Sequence, residues 1–276
     1  MKLSKFNDSR VLLVTFGSGH EWKPAIRRLV RQARQTRRFY GVVSFDERDL
    51  KGKISTSFLQ QNVRGFGLWV WKPRIILAAL DEFPECDFVM YLDAGCEVNS
   101  SPRALERLDE YLKICDESEG LAFEIPFQEK AWTSDFVLRE LQAMNLSETN
   151  QIAGGMFLLK NNSKNRLFLE LWSSWMERED YRYLIGGAPD ALPKESFQEH
   201  RFDQSIFSLL WKLHSKPFIK DETFWAPDWK LHGLDFPIWS TRSRLFISFK
   251  TPQPYFFIYR AMRFSLSKIS SGKIRI

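Results

Sequence analysis

The first 45 residues contain two apolar runs separated by one amphipathic segment. The runs at 11–16 (VLLVTF) and 40–45 (YGVVSF) are continuous and β-rich, as in strands that are covered on both faces. A turn at 17–19 (GSG) and Pro24 lead into a segment whose apolar residues recur at helical spacing. A strand, a helix and a strand in this order predict an α/β fold with a parallel sheet.

The rest of the sequence continues the same alternation. Further strands are predicted at 87–92, 121–125 and 152–159, and further helices from 73, from 102, over about 165–177 and over 203–213. The segment 46–66 is polar and is predicted to be irregular. No repeat or linker divides the chain, so we expect a single domain whose sheet half ends near Leu159.

Composition indicates the cellular compartment and the kinds of charged partner that the protein could bind. The sequence has no run near the roughly 20 apolar residues of a membrane span, and no secretory signal is visible. The three cysteines lack zinc-ligand spacing, which predicts reduced, half-buried thiols in a cytoplasmic protein. A net charge of +6 suits a phosphorylated ligand, an anionic membrane surface or nucleic acid, and does not choose among them.

A carboxylate stands directly after the third predicted strand. Asp93 is followed by the small residues Ala94 and Gly95 and then by Glu97. Ligands bind at the carboxyl ends of strands in open parallel sheets, and small residues let a ligand approach the backbone. Carboxylates at such a place suit a divalent cation that bridges phosphate oxygens. The alternative, that Asp93 starts a turn and Glu97 is merely solvated, stays open.

Three further segments carry polar or glycine-rich patterns. The run 65–73 (GFGLWVWKP) leads into a helix N-terminus, which favours anions, and Lys72 adds a positive charge. Paired glycines at 154–155 open a strand and suggest a close approach. The run 199–204 (EHRFDQ) gathers an acid, a base, a cation and an amide at a helix start, where taken alone the N-cap is the favoured role for Asp203. For the run 65–73 the alternative is a glycine-rich turn with two core tryptophans, and a functional role is favoured over it.

In this order the four segments resemble the nucleotide-diphospho-sugar transferases with the GT-A fold, over about residues 10–215. Asp93-Ala94-Gly95 stands where that fold has its Asp-x-Asp motif. The strand at 153–155 (AGG) resembles the Asn-Ala-Gly strand of glycogenin-like and galactosyltransferase-type enzymes, and Asp203-Gln204 resembles their Asp-Gln motif. The run 67–73 is similar to a Trp-Lys-Pro segment of bacterial polysaccharide-type transferases.

The resemblance implies a Rossmann-like, mostly parallel central sheet flanked by helices in one domain, 1–276. About 10–160 would form the nucleotide-sugar-binding half, about 161–250 would complete the acceptor site, and 251–276 would be a basic aromatic tail. The implied activity is that of a glycosyltransferase (hexosyltransferase-type) of polysaccharide biosynthesis. It would move a sugar from a nucleotide-diphosphate sugar, commonly a UDP-sugar, to a glycan, lipid-linked or other hydroxyl acceptor, with a lean towards retention.

The resemblance also implies roles for single residues. Those that would contact the donor are Thr15, Phe16, Gly17, Trp71, Lys72, Asp93, Ala94, Gly95, Gly154 and Gly155. Those that would face the acceptor or the reacting carbon are Glu199, His200, Asp203 and Gln204. The group that would hold Mn²⁺ or Mg²⁺ is Asp93, Glu97 and His232. Because Gly95 replaces the second Asp of the motif, the metal shell would need Glu97, a late His or the diphosphate itself.

Four other interpretations follow from particular features. Loss of the second Asp allows a degenerate protein that binds a nucleotide sugar or carbohydrate without turnover. The arginines from Arg27 to Arg38 allow a nucleic-acid-binding module, although a solvated helix face is the commoner reason for such a run, and no nucleic acid is expected. A pyrophosphorylase is disfavoured because the first turn lacks a cationic pair. The tail 251–276 alternates aromatic and basic residues, which suggests peripheral contact with an anionic membrane.

Overall fold

The computed structural model describes residues 9–187, 196–225 and 229–245. Its strands, in chain order, are β1 (Val11–Phe16), β2 (Gly41–Phe45), β3 (Phe88–Leu92), β4 (Glu97–Val98), β5 (Gly120–Gln128), β6 (Asn150–Lys160), β7 (Phe218–Lys220) and β8 (Ile238–Trp239). Six of them form one mixed sheet in the order β2-β1-β3-β6-β5-β7, while β4 and β8 pair separately. Three pairings of the sheet are parallel, and β6 runs antiparallel to both of its neighbours.

Helices pack on both faces of this sheet. They are α1 (Lys23–Thr36), α2 (Thr56–Gln61), α3 (Gly65–Leu68), α4 (Lys72–Glu82), α5 (Pro102–Ser118), α6 (Glu129–Trp132), α7 (Asp135–Glu140), α8 (Ser163–Tyr181), α9 (Phe202–Leu213) and α10 (Trp229–His232). Helices α1, α4 and α5 each begin with a proline in the first turn, where its missing N–H has no helical partner to lose.

Two apolar clusters form the core, one on each face of the sheet. One surrounds Trp172, Phe207 and Trp211, which α8 and α9 supply. The other surrounds Leu13, Met90 and Tyr111 under α1 and α5. Every residue of β1 and β3 is buried, as expected of strands covered on both faces.

The structure confirms the predicted α/β fold and all five predicted strands, and it corrects two details. The sheet does not end near Leu159, because β7 pairs with β5 from beyond α9. The segment 46–66 is not irregular throughout, since it contains a 3-10 helix at Glu47–Leu50 and helix α2. The tail 251–276, with its predicted membrane contact, lies outside the described residues.

Helix α1 also corrects the interpretation of its arginines. Arg27 and Arg34 are exposed, as a solvated face requires, but Arg28 is fully buried and Arg38 binds Asp109 at 3.0 Å. The Arg28 guanidinium donates to backbone carbonyls of two separate segments. Its acceptors are the carbonyl oxygens of Gly95, Cys96, Ser243 and Leu245. Arg28 therefore ties α1 to the segment after β3 and to the segment 241–245.

Two further findings concern the setting. None of the helices in the described ranges is both long enough and apolar enough to span a bilayer. Cys86, Cys96 and Cys115 are free thiols, as the sequence predicts, but they are buried where half-buried thiols were expected.

Candidate functional site

A cavity of about 710 Å³ opens at the carboxyl ends of β1 and β3, a size typical of small-molecule sites. Phe16 and Gly17 line it at the end of β1, and Asp93 to Gly95 line it at the end of β3. The start of α9 closes the opposite side with Asp203 and Gln204. The predicted edge of the sheet is therefore concave, and residues from distant parts of the sequence meet there.

Asp93 projects into this cavity in a fixed orientation. Its backbone N–H donates to the Gly155 carbonyl at 2.8 Å, because β3 and β6 are paired up to this point. The Tyr91 hydroxyl donates to Asp93 Oδ1 at 2.7 Å. Burial, and then the Asp93 charge, raise the pKa of Tyr91 well above its usual value, so the phenol keeps its proton. The Asp93 side chain is still 41% exposed, so a ligand can reach it.

Lys72 is buried between two carboxylates. Its Nζ lies 2.7 Å from Asp203 Oδ2 and 3.5 Å from Asp93 Oδ1, and it donates to the Gly154 carbonyl at 2.9 Å. Burial alone would lower the pKa of Lys72, but the charges of Asp203 and Asp93 outweigh it and the pKa is raised. The ammonium therefore stays protonated and holds both carboxylates in place.

For Asp203, burial has a larger effect on the pKa than the neighbouring opposite charge. Burial raises its pKa to about 6, and the nearby Lys72 charge offsets only part of that shift. Its side chain is 4% exposed, so Asp203 is held against Lys72 rather than presented to a ligand. Asp203 is the second residue of α9 and makes no side-chain cap hydrogen bond, so the N-cap interpretation is wrong.

The paired glycines of β6 make room for their neighbours. A Cβ on Gly155 would lie 2.6 Å from Asp93 Oδ2, and one on Gly154 would lie 3.2 Å from the Gln204 Cα. Gln204 also accepts from the Gly154 N–H at 3.3 Å and donates to Gln151 Oε1 at 2.8 Å. Gly155 lines the cavity, whereas Gly154 lies against α9. The close approach that the sequence predicts is therefore mainly to Asp93 and to α9.

The run 65–73 forms one wall of the cavity. Phe66, Leu68 and Trp69 all have positive φ angles between 52° and 61°, a conformation that is uncommon for non-glycine residues. The Trp71 ring lies 3.9 Å from that of Phe16, centroid to centroid, and its Nε1 donates to the Gly65 carbonyl at 3.0 Å. A tight turn thus fixes aromatic faces beside the end of β1.

Of three further predicted site residues, two lie outside the cavity and one lies at its rim. Thr15 is fully buried within β1 and does not line the cavity. His200 is also buried outside it, where Nδ1 accepts from the Ser134 N–H at 3.2 Å, and burial lowers the pKa of His200 to about 4. Glu199 lies at the cavity rim in an ion pair with Arg64.

The residues predicted to hold a metal do not come together. Glu97 is buried in β4, where it accepts from Gln32 at 3.2 Å and from Thr241 at 3.0 Å. His232 is exposed at the end of α10 and does not line the cavity. Within 9–187, 196–225 and 229–245, no three His, Cys, Asp or Glu side chains converge as a ligand group. Asp93 alone of the three reaches the cavity, so Mn²⁺ or Mg²⁺ there would have to take its other ligands from the donor diphosphate and water.

Sequence reasoning missed the arginines of the cavity. Arg201, Arg242 and Arg244 line it and each packs against an aromatic ring. Arg201 is the cation of the run 199–204, but no motif assigns it a role. No helical or strand periodicity marks the other two, which stand in 240–245 (STRSRL).

The fold has counterparts among solved structures. No family model matches the chain, and no curated protein matches it. The structure is similar to that of a glycosyltransferase involved in the glycosylation of the major capsid of PBCV-1, at 11% identity, a TM-score of 0.50, and coverage of 92% of this chain and 99% of that one. This likeness confirms the glycosyltransferase fold predicted from the sequence.

Two further solved structures are similar at a lower level. Mouse xyloside xylosyltransferase 1, in its apo form, has 14% identity and a TM-score of 0.44, and the alignment covers 89% of this chain and 100% of that one. The apo structure of the bifunctional glycosyltransferase WbbM has 13% identity and a TM-score of 0.47, with coverage of 78% of this chain and 40% of that one. At such identities a likeness concerns the fold alone.

Proposed function

We propose that this chain is a glycosyltransferase that moves a sugar from a nucleotide-diphosphate sugar to a hydroxyl group of a glycan or lipid-linked acceptor. The observation that carries the proposal is Asp93, a reachable carboxylate fixed by Tyr91 and Lys72 in a cavity at the carboxyl ends of β1 and β3. That edge is where open α/β sheets bind nucleotides. The shared fold supports the same conclusion.

The donor is proposed to lie across the end of the sheet. Its base would pack near Phe16, Gly17 and Trp71, which offer an aromatic face and a glycine where backbone can be approached. The sugar would then lie over Asp93 and Gly155, with the acceptor entering from the side of α9. UDP is the proposed nucleotide because it is the commonest donor in the families that the sequence resembles.

Asp93 is proposed to act as the general base. In the transfer, the acceptor oxygen forms a bond to the anomeric carbon as the bond from that carbon to the β-phosphate oxygen breaks. The electron pair of the broken bond stays on the phosphate, and the hydroxyl proton passes to Asp93. Asp203, which the resemblance assigns to this step, is too buried for it and instead positions Lys72, which holds Asp93.

A donor panel tests the proposal directly. We would measure release of nucleoside diphosphate from UDP- and GDP-sugars by wild type, by Asp93→Asn and by Asp81→Asn, a matched change at an exposed surface carboxylate. With one donor we expect turnover by wild type and Asp81→Asn. Asp93→Asn should turn over at least about 100-fold more slowly, the low end for loss of a general base. Donor affinity, measured by calorimetry, should change little.

Other results would contradict the role of Asp93 or the transferase activity itself. Undiminished turnover by Asp93→Asn would remove Asp93 from the chemistry. Donor binding without turnover, for every acceptor class, would favour a protein that only binds nucleotide sugars. Proton NMR of the first product anomer reports the stereochemistry, and retention would contradict the role of Asp93 as a base because a single base on an attacking hydroxyl gives inversion.

A further inference from the structure

The segment 241–243 fills the place where a second carboxylate would project. A Cβ on Gly95 would lie 2.9 Å from the Arg242 Cα and 3.2 Å from its carbonyl carbon, both backbone atoms. The Gly95 carbonyl accepts from the Ser243 N–H and from the Thr241 hydroxyl, each at 3.2 Å. An aspartate at position 95 would therefore have to displace this segment. Gly95 is a packing requirement of the fold as it stands.

The same segment brings positive charge to the cavity. Arg242 and Arg244 line the cavity from one side and Arg201 lines it from the start of α9. Their guanidinium carbons lie near aromatic rings, and such contacts restrict the side chains. The distances from Cζ to ring centroid are 3.8 Å for Arg201 to Trp132, 5.5 Å for Arg242 to Trp225 and 4.9 Å for Arg244 to Trp22.

Arg201 and Arg242 act on each other electrostatically. Burial lowers the pKa of Arg201 to about 10, and the Arg242 charge is the next largest cause. Two guanidinium groups close enough to repel would both be stabilised by an anion between them. Lys72 cannot serve such an anion equally, because its ammonium is already bound to Asp203 and Asp93.

A divalent cation on Asp93 would have an unfavourable neighbour. The Lys72 ammonium lies 3.5 Å from Asp93 Oδ1, so a metal bound to that oxygen would face a buried positive charge. The other carboxylate beside Lys72 belongs to Asp203, which is 4% exposed. Asp93 Oδ1 is thus an unfavourable metal ligand, and the backbone of Arg242 occupies the space of a second carboxylate at position 95.

On the basis of the proposed glycosyl transfer, we infer that Arg201 and Arg242 bind the diphosphate of the donor and neutralise the leaving nucleoside diphosphate in place of a divalent cation. A guanidinium group can donate two parallel N–H bonds to phosphate oxygens, and such bonds strengthen as negative charge grows on the leaving oxygen. Arg244 extends the same positive wall towards Trp22.

The first test compares metal conditions. We would measure turnover of the donor that the panel identifies, and binding of UDP, GDP and inorganic pyrophosphate by calorimetry, in excess EDTA and in Mn²⁺ or Mg²⁺. We expect turnover in EDTA to stay within about threefold of that with metal, and pyrophosphate to compete with the nucleotide. Loss of turnover by more than about 100-fold in EDTA, restored by Mn²⁺, would overturn the inference.

The second test removes single charges. Arg242→Ala and Arg201→Met should each weaken binding of the nucleoside diphosphate by about 10- to 100-fold, the usual worth of a charge-assisted pair. Arg242→Lys should recover only part of the affinity, because a lysine keeps the charge and loses the planar fork. Arg34→Ala, an exposed arginine of α1, is the matched control and should bind as wild type does.

The two tests separate this inference from the proposed function. Metal-dependent turnover with unchanged affinity in the Arg201 and Arg242 variants would overturn the inference and leave the transferase proposal standing. No binding of any nucleotide or pyrophosphate, with or without metal, would overturn both. Thermal melting curves show which variants are folded, and since Arg201 and Arg242 come from different segments, one folded variant is enough to decide.

Discussion

The two charged walls of the cavity hold their charges by different means. On the lysine wall (Lys72, Asp93 and Asp203), an ammonium group and two carboxylates satisfy one another, and Lys72 is 3% exposed. On the arginine wall (Arg201, Arg242 and Arg244), the guanidinium groups rest against aromatic rings. On the lysine wall the opposite charges lie within 3.5 Å of one another, whereas the arginine wall lines the cavity with guanidinium groups. We therefore assign the positioning of Asp93, the proposed base, to the lysine wall and recognition of the anion to the arginine wall.

The largest effect is expected from removing Lys72, which tests whether the lysine wall is a buried cluster of charges. Lys72→Met leaves Asp203 buried without its cation, and we expect the free energy of unfolding to fall by about 3–5 kcal/mol in urea denaturation at pH 7. The double variant Lys72→Met/Asp203→Asn should recover part of that loss, because the unpaired charge is gone. If Lys72→Met unfolds as wild type does, the lysine wall is not the buried cluster described here.

Acid should lower the stability of the fold through His200. The unfolded chain protonates this residue below about pH 6.5, whereas burial keeps it neutral in the fold down to about pH 4. The stability contributed by neutral His200 is therefore lost as the pH falls through this window, by up to about 3 kcal/mol for such a shift. The variant His200→Gln keeps an acceptor for the Ser134 N–H and should flatten this part of the stability profile.

Asp203 also makes stability depend on pH, but its contribution falls as the pH rises, whereas that of His200 falls as the pH drops. Its pKa is raised to about 6 in the fold, so its contribution decreases as the pH rises from about 4 to 6. The informative quantity is thus the difference between wild type and His200→Gln at each pH, with Asp203→Asn as the companion variant. A His200→Gln difference that does not vary with pH would show that His200 titrates normally.

The variant Gly95→Ala tests the contact between the segment that follows Asp93 and the backbone of Arg242. Gly95→Ala would press against the backbone of Arg242, and we expect a loss of about 1–3 kcal/mol, as for overpacking elsewhere. The displaced Arg242 should also bind UDP more weakly in calorimetry. Unchanged UDP affinity in a variant of lower stability would mean that the position of Arg242 does not matter for the ligand.

The smallest effect is expected at the rim. Glu199 and Arg64 form an ion pair whose side chains are 39% and 55% exposed, so Glu199→Gln should cost less than about 1 kcal/mol in stability. Turnover should fall by no more than about twofold, because Asp93 is the proposed base. A fall of about 100-fold would transfer that role to Glu199, as the sequence alone allowed.

The lysine wall could be predicted from the sequence to a large extent. Continuous apolar runs mark β1 and β3, and their carboxyl ends share one edge of the sheet, so Asp93 and Gly17 were expected at one site. Lys72, Gly155 and Asp203 were also expected there, and the structure brings them together around Asp93. The exact partner of each charge was not predictable, because it depends on burial that residue types alone do not reveal.

The remainder of the site shows why sequence reasoning stops. His200 and Glu97 have the side chains of catalysis and metal binding, yet both are enclosed by neighbours from distant segments. Arg242 lies in a stretch without helical or strand periodicity, and its place is set by the bonds that Gly95 and Arg28 make with the next residue, Ser243. Such long-range packing leaves no local pattern, so the arginine wall emerged only from the fold.

The buried guanidinium of Arg28 has a consequence for proteolysis. It holds the carbonyl oxygens of Ser243 and Leu245, while the Ser243 N–H is bound to Gly95. A protease must bind several residues of its substrate in an extended conformation. Here that requires breaking the bonds that these residues make with Gly95 and with the buried, charged guanidinium of Arg28. Trypsin should therefore cut slowly after Arg242 and Arg244, although both carry the side chain that it prefers and both border an open cavity.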